Sequence, residues 1–469
     1  MKGDFSRDTF DKSRNYSGVL MQQGRVQLDA DWNEQARIIL HLLRALAADL
    51  FGPFGGPKPP GFRISDVKPK NGRLDFTISR GHYYVDGILC DAAADASYSD
   101  QPYFPWGAAA EPARFYLPDP PFLVYLDVWE RFVSAVEDPS LREVALNGPD
   151  TAGRTQVVFQ VKAVKIGQLT GAPTCQNFLT DTQTKGIWER LSLTRVPAGR
   201  LKARARRTTP ADASDACAIP PEASYRGSDN RNYRVEVHNG GRAGTATFKW
   251  SRENGSLTYP AISISGATVT LEHLGRDESL GLHPGDWVEV VNDDYTLLNY
   301  GGQLEQTAGG DYVHRPQAAP LLRVEDVDYG EMTVRLSGAP AIRADVNDRK
   351  HPFLRRWDHA ATDLAANKLL WENGAIKIPS APDQWVMLED GVQIQFTDQN
   401  AVYRAGDYWL IPARTATGNV EWPLDQQGAP KELPPHGVEH HYAPLAIYIP
   451  GAATAVADLQ RTLDAARCP

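Results

Sequence analysis

The sequence has few cysteines, and this shortage restricts what the chain can be. Its 469 residues include four cysteines, and no two of them form a Cys-x-x-Cys pair: Cys90, Cys175, Cys217 and Cys468. Structural zinc sites and disulfide frameworks depend on cysteines at closely set spacings. We therefore expect neither, and we expect reduced, mostly buried thiols instead.

The chain also lacks the segments that direct a protein into or across a membrane. No run of about eighteen apolar residues occurs, and the N-terminus has no basic stretch followed by an apolar one. We expect a protein without a membrane span that is synthesised in the cytoplasm without a signal peptide. The net charge of −9 argues against a nucleic-acid partner.

Catalytic motifs are missing as well. There is no Gly-x-Ser-x-Gly, no P-loop and no dinucleotide fingerprint. The best metal-ligand candidates are His436, Glu439 and His440, with two imidazoles four residues apart. Zinc proteases place the glutamate directly after the first histidine, and Pro434 and Pro435 argue against a helix here. We expect no enzyme, no metal and no cofactor, and imidazoles that pack on aromatic strands.

Aromatic residues and turn formers are abundant. Eleven Trp and eighteen Tyr accompany 39 Gly and 34 Pro, a composition typical of β-sheets joined by turns. Arg73–Ile78 alternates strictly, Asp86-Gly87 indicates a hairpin turn, and Phe122–Trp129 is apolar enough for a strand covered on both faces. The predicted fold class is mainly β and multidomain, with short-stranded sandwiches or barrels and an N-terminal amphipathic, coiled-coil-like helix.

Breaks in periodicity divide the chain. Gly52–Gly61 is so rich in Gly and Pro that we predict a linker there, and the strand pattern disappears around the basic run Arg200–Arg207. Ala452, Val456, Leu459 and Leu463 have helical spacing. We predict five segments: an N-terminal arm and oligomerising helix (1–61), a β-domain (62–166), an extended linker (167–225), a β-barrel or sandwich domain (226–345), and a C-terminal β-domain with a terminal helix (346–469).

The N-terminal helix carries the clearest interaction signal. Asp31 and Glu34 resemble a capping box, so the helix is predicted to begin near Trp32, and Gly52-Pro53 ends it. Apolar residues at alternating four- and three-residue spacing form a seam: Trp32, Ala36, Ile39, Leu43, Leu46 and Leu50. Such a seam suits a coiled coil, while an amphipathic helix packed on its own domain is the alternative.

The same region resembles a known family. Residues 1–10 and the run Tyr16–Gln35, with its Gly-Arg-Val-Gln-Leu-Asp-Ala-Asp-Trp-Asn-Glu-Gln segment, resemble an uncharacterised bacterial family whose members tend to be encoded beside phage-tail-like contractile injection systems. The segment is also similar to a shorter pattern in phage baseplate and tail proteins. The resemblance implies a particle component and supplies no catalytic mechanism.

Three functions follow from these observations. The first is a structural component of a contractile injection particle, in its baseplate periphery, a cage, a fibre or an anchor. Its partners would be copies of itself, preferably as a trimer, and other particle proteins, in the cytoplasm or in a released particle. The second is a module that binds carbohydrate or a cell surface, with a surface glycan as partner. The third is a metal-dependent hydrolase, which rests on His436, Glu439 and His440.

Overall fold

The computed structural model describes most of the chain. It covers residues 1–70, 72–103, 117–167, 169, 173–180, 184–186, 188–189, 199–206, 224–301, 304–306, 312–314, 318–342, 350–362, 364–451 and 455–463. Strand residues outnumber helical residues, at 38% against 14%, and they form several sheets and a barrel. The prediction of a mainly β, multidomain chain with an N-terminal helix is therefore confirmed.

The first part of the chain is an arm, a helix and a series of strands. The arm, residues 1–28, leads into α1 (Asp29–Phe51). The strands that follow are β1 (Phe54–Pro57), β2 (Ile64–Lys70), β3 (Arg73–Ile78), β4 (Gly81–Val85), β5 (Ile88–Ala92), β6 (Ala96–Ser97), β7 (Phe122–Val133) and β8 (Arg154–Lys165).

The middle of the chain supplies a second sheet and then a barrel. The first strands here are β9 (Leu201–Ala205), β10 (Arg231–Val237) and β11 (Thr247–Ser251). The elements that follow are β12 (Thr258–Ser265), β13 (Thr268–Leu271), β14 (Trp287–Val291), α2 (Asp293–Gly301), β15 (Leu304–Gln306), β16 (Tyr312–His314), β17 (Leu321–Asp328), β18 (Thr333–Leu336) and β19 (Phe353–Trp357).

The last part returns to both earlier sheets. It contains α3 (Leu364–Asn367), β20 (Trp371–Glu372), β21 (Ala375–Lys377), β22 (Val386–Met387), β23 (Val392–Phe396), β24 (Tyr408–Arg414), β25 (Asn419–Val420), β26 (His441–Tyr448), β27 (Val456–Asp458) and β28 (Thr462–Leu463).

All of these strands except β15 and β16, which pair with each other, form three nested modules. The outer module has the sheets β28-β1-β4-β5, β2-β3-β6 and β27-β26-β7-β8, so it joins the two ends of the chain. The middle module has the six-stranded sheet β20-β21-β11-β10-β24-β25 and the sheet β22-β23-β9. The barrel, β12-β13-β18-β17-β14-β19, is closed and is inserted within the middle module. Each module therefore interrupts the one before it.

The nesting corrects the predicted boundaries. The limit at 345 divides the barrel, because β19 lies beyond it and pairs with β12 and β14. The C-terminal segment is divided between modules, since β24 pairs with β10 while β26 pairs with β7. Sequence spacing cannot reveal such returns, because strand pairing joins residues hundreds of positions apart.

Three local predictions are also wrong. Gly52–Gly61 is not an open linker, because β1 pairs with β4 and β28 and Phe54 is buried. Within the predicted 167–225 linker, Leu201–Ala205 is a strand paired with β23, and much of the remainder lies outside the described residues. The predicted terminal helix is replaced by β27 and β28, while Ala452 lies outside the described residues. In each case pairing with a distant strand outweighs local propensity.

Other local predictions are confirmed. β3 has the predicted bounds, and β4 and β5 meet at Asp86-Gly87, where both residues have positive φ, 47° and 78°. β7 is covered on both faces. Phe122, Val124 and Leu126 join one core, while Leu123 and Tyr125 join another on the opposite side.

Candidate assembly surface

Helix α1 begins three residues earlier than predicted. Asp31 is not the cap itself; its carboxylate accepts a hydrogen bond from the Leu28 backbone N–H at 3.2 Å, and the helix starts at Asp29. It ends at Phe51, where Gly52 has a φ of 72°. The 23-residue helix is about 35 Å long at ~1.5 Å per residue.

One side of α1 carries polar residues that bond to the arm. Glu34, Arg37, His41 and Arg44 are spaced three, four and three, so they share one side of the helix. Thr9 Oγ1 donates to Glu34 Oε2 at 2.6 Å, Asp8 pairs with Arg37, and the Phe10 ring lies 5.8 Å from the His41 ring. The arm therefore runs along the polar side of the helix and contacts three of its side chains.

The same side is fastened to the outer module. Arg44 makes two hydrogen bonds to the Glu130 carboxylate on β7, at 2.9 and 2.7 Å. The turn at Gly87 packs directly on the helix backbone, and a Cβ there would lie 2.1 Å from the Arg44 carbonyl oxygen. Ile38 is buried, and Phe51 stacks on Tyr84 with 4.5 Å between ring centroids. α1 is therefore docked on its own chain.

The opposite side of α1 is apolar and faces outward. Trp32, Ile39, Leu43, Leu46 and Leu50 are between 48% and 68% exposed, and Ala36 is also exposed. Leu40 and Leu42 widen this strip. We call the eight residues together the outer face of α1. Half of the exposed large apolar side chains in the described part of the chain lie between Tyr16 and Leu50.

The outer face is also uncharged. The ionisable residues between Asp31 and Asp49 are Glu34, Arg37, His41 and Arg44, all on the opposite side of the helix. The structure thus gathers every predicted seam residue on one exposed face, with no like charges to oppose contact with a copy. We did not predict from the sequence that the polar side docks on the arm and the outer module. The three-four-three spacing of its polar residues is nevertheless visible in the sequence.

The metal-ligand candidates are not brought together. His436 lies beside β24, where its backbone pairs with that of Tyr408, and its ring is 5.5 Å from the Tyr408 ring. Glu439 is exposed. His440 is buried, and its Nδ1 lies 2.7 Å from Asp127 Oδ1. Within the described ranges, no group of three or more His, Cys, Asp or Glu side chains is arranged to hold a metal ion.

His440 instead belongs to a buried ion network in the outer module. Lys162 Nζ donates to Asp127 Oδ2 at 2.7 Å, and the Trp129 ring lies 5.1 Å from His440 and 5.4 Å from the lysine ammonium. Burial alone would raise the pKa of Asp127, but His440 and Lys162 hold it well below its usual range. The network bonds β7 to β8 and fastens His440 beside β26.

The most deeply buried tryptophans do not offer surfaces for sugar stacking. Trp129, Trp250, Trp357 and Trp409 are all fully buried. Trp250 donates its indole N–H to Thr362 Oγ1 at 2.8 Å, and Trp409 donates to the Leu433 carbonyl at 3.1 Å. These aromatics hold the cores, as most aromatic residues of β-sheet proteins do.

The fold and the outer face together define a mainly β protein of nested modules with an amphipathic N-terminal helix whose apolar face is exposed. The chain belongs to a family of unknown function, DUF6519, whose model matches residues 1–177 and 190–454. The sequence of this chain has no match among the curated proteins, and no solved structure matches the chain. Among the described residues, we find no helix with the length and apolar composition that a bilayer crossing requires.

Proposed function

We propose that this protein is a structural component of a phage-tail-like contractile injection particle and that it assembles through the outer face of α1. The observation that carries the proposal is the orientation of the helix, whose polar side contacts the arm and the outer module while its apolar side lies in water. Contiguous exposed apolar patches larger than a few hundred Å² are rare on monomeric proteins, and the largest patch on a protein often marks an interaction surface. The particle context rests on the resemblance of residues 1–35.

The size of the outer face suits a self-association surface. The large side chains of this face each expose on the order of 100 Å², and Trp32 exposes more, so the face offers several hundred Å². A stable interface takes about 800 Å² from each partner. Leu20, Met21 and Val26, which precede the helix in the arm, are exposed as well and offer further apolar area. The occupant we propose is a second copy of the chain, with a trimer preferred, because the seam has coiled-coil spacing.

The first test is the mass of the protein in solution. Leu43→Asp places a carboxylate in the seam, and Leu146→Asp is a matched control because Leu146 is 60% exposed and Leu43 is 58% exposed. We expect the wild type and Leu146→Asp to form the same oligomer by light scattering. Leu43→Asp should be a folded monomer with unchanged circular dichroism. A monomeric wild type at tens of micromolar would refute self-association.

The second test concerns the particle. Purified contractile particles from the producing cells should contain this protein together with sheath and tube proteins, and Leu43→Asp should reduce its incorporation. Particles of normal composition and length that lack the protein would exclude the structural role. A hydrolytic activity abolished by His436→Ala, with the fold intact, would favour the hydrolase hypothesis instead.

A further inference from the structure

The first residues of the arm enter the junction between the barrel and the middle module. Lys2 Nζ lies 3.0 Å from Glu236 Oε1 on β10 and 3.8 Å from Glu289 Oε1 on β14. The same ammonium lies 5.3 Å from the centre of the Trp357 ring on β19. One side chain of the arm thus contacts two modules at once.

Two asparagine side chains hold the arm in this position by hydrogen bonds to its backbone. Asn254 Nδ2 donates to the Gly3 carbonyl at 2.9 Å, and Asn232 Nδ2 donates to the Phe5 carbonyl at 3.0 Å. The Phe5 ring then meets Phe132 of the outer module edge to face, with 5.2 Å between centroids. The first five residues therefore touch all three modules.

Lys2 helps to neutralise two carboxylates that are buried at the junction, those of Glu236 and Glu289. Lys249 on β11 bonds to Glu289 at 2.5 Å and lies 3.7 Å from Glu236. Burial alone would raise the pKa of Glu289, but Lys249 and Lys2 hold it at about 2. Arg234 Nε also donates to Glu236 at 2.6 Å, and Arg355 Nε lies 3.7 Å from Glu289. Removing Lys2 therefore takes one of four cations from a buried ionic cluster that joins the middle module to the barrel.

The next residues of the arm lie on α1. Ser6 donates through its N–H and its hydroxyl to the Asp29 carboxylate at 2.9 and 2.7 Å. Asp8, Thr9 and Phe10 then follow the polar side of the helix, as described above. Only three residues separate Lys2 from Ser6, so the arm joins the junction to the helix over a short span.

We propose that residues 1–10 form a strap that couples the barrel junction to α1 and holds the outer face of the helix toward solvent. Lys2 is the positioning residue at one end, and Asp8 and Thr9 are the positioning residues at the other. Loosening either end is expected to loosen the other, because coupling between two sites is reciprocal. The consequence for assembly rests on the proposed function; the coupling itself does not.

Hydrogen exchange tests the coupling directly. Lys2→Met keeps the length of the side chain and removes its charge, and Lys12→Met is a control at an exposed position of the same arm. In Lys2→Met we expect several-fold faster exchange both in β14 and β19 and in the Asp29–Arg44 part of α1. Lys12→Met should match the wild type. Faster exchange at the junction with α1 unchanged would overturn the strap.

A variant at the helix end of the strap keeps the proposal testable if the Lys2→Met protein does not fold. Thr9→Val removes one hydrogen bond to Glu34 and should accelerate exchange in α1 and, by reciprocity, in β14. A change limited to α1 would refute the coupling. Both variants are compared in the Leu43→Asp background, where no assembly forms. Light scattering of Lys2→Met with Leu43 intact then shows whether assembly requires the strap, so the two proposals can fail separately.

Discussion

The outer face of α1 and the barrel junction place their side chains in opposite ways. Leu43 and Leu46 are each 58% exposed, whereas the side chains of Lys249 and Glu289 are each 2% exposed. Ordinary burial would put the leucines inside and the charges outside. At the junction the missing water is replaced by partners from the same chain. At the helix no residue that the structure describes covers the outer face, which is why we infer a partner from outside.

Substitutions at the junction should cause the largest losses of folding stability. Lys249→Met leaves Glu289 and Glu236 buried with one fewer cation, and we expect it to destabilise the fold by about 3–5 kcal/mol. Lys377→Met is the control, because the Lys377–Glu372 pair is partly exposed and should contribute less than about 1 kcal/mol. Urea unfolding measures both. Equal small losses would mean that the junction is solvated.

The two sides of α1 should respond unequally to the same truncation. Ile38→Ala removes a side chain that is 2% exposed and should cost about 2–4 kcal/mol. Leu43→Ala should change the stability of the monomer by less than about 0.5 kcal/mol, because its side chain is already in water. Urea unfolding at a dilution that keeps the protein monomeric decides the matter. Equal costs would show that Leu43 packs on its own chain.

Asp407 offers a buried charge without the compensation found at the junction. Its Oδ2 has no hydrogen-bond partner among the described residues, and burial raises its pKa to about 7 although Arg404 opposes the shift. The unfolded chain has a pKa near 3.9 at this position, so the protonated carboxyl of Asp407 stabilises the folded state at low pH. This stabilisation is lost as the pH rises through the folded pKa of about 7. Asp407→Asn should therefore gain about 2 kcal/mol more stability at pH 6 than at pH 4. A gain of equal size at both pH values would contradict the titration.

Two buried histidines should give the smallest effect, with the opposite sign. Burial lowers the pKa of His238 to about 3 and that of His359 to about 4. The unfolded chain binds these protons near pH 6.5, so stability is full above that pH and declines as the pH falls toward the folded values. Each histidine should contribute a loss of about 1 kcal/mol between pH 6.5 and 5.5.

A double variant isolates this contribution. The double variant His238→Asn/His359→Gln should flatten the pH dependence of the urea midpoint in that range. The control His41→Gln, which changes an exposed side chain on the polar side of α1, should leave that pH dependence unchanged. An unchanged slope in the double variant would show that the two imidazoles are solvated.

The local pattern of the sequence determined the elements whose stability is local. Strict alternation gave the bounds of β3, Asp86-Gly87 defined the hairpin of β4 and β5, and the four-three spacing placed the seam residues on one helix face. Period, turn chemistry and breakers act over a few residues, so they can be read from the chain directly. The mainly β class follows from the same signals.

The tertiary structure alone decided the rest. The nested modules, the strand at Leu201–Ala205, the replacement of the terminal helix by β27 and β28, and the insertion of Lys2 between Glu236 and Glu289 all join residues far apart in the chain. Such contacts depend on which surfaces meet once the sheets have formed, and the spacing of residues along the chain does not predict which surfaces meet. The exposure of the outer face of α1 is of the same kind: the sequence made the helix amphipathic, and the folded chain turned its apolar side outward by docking the polar one.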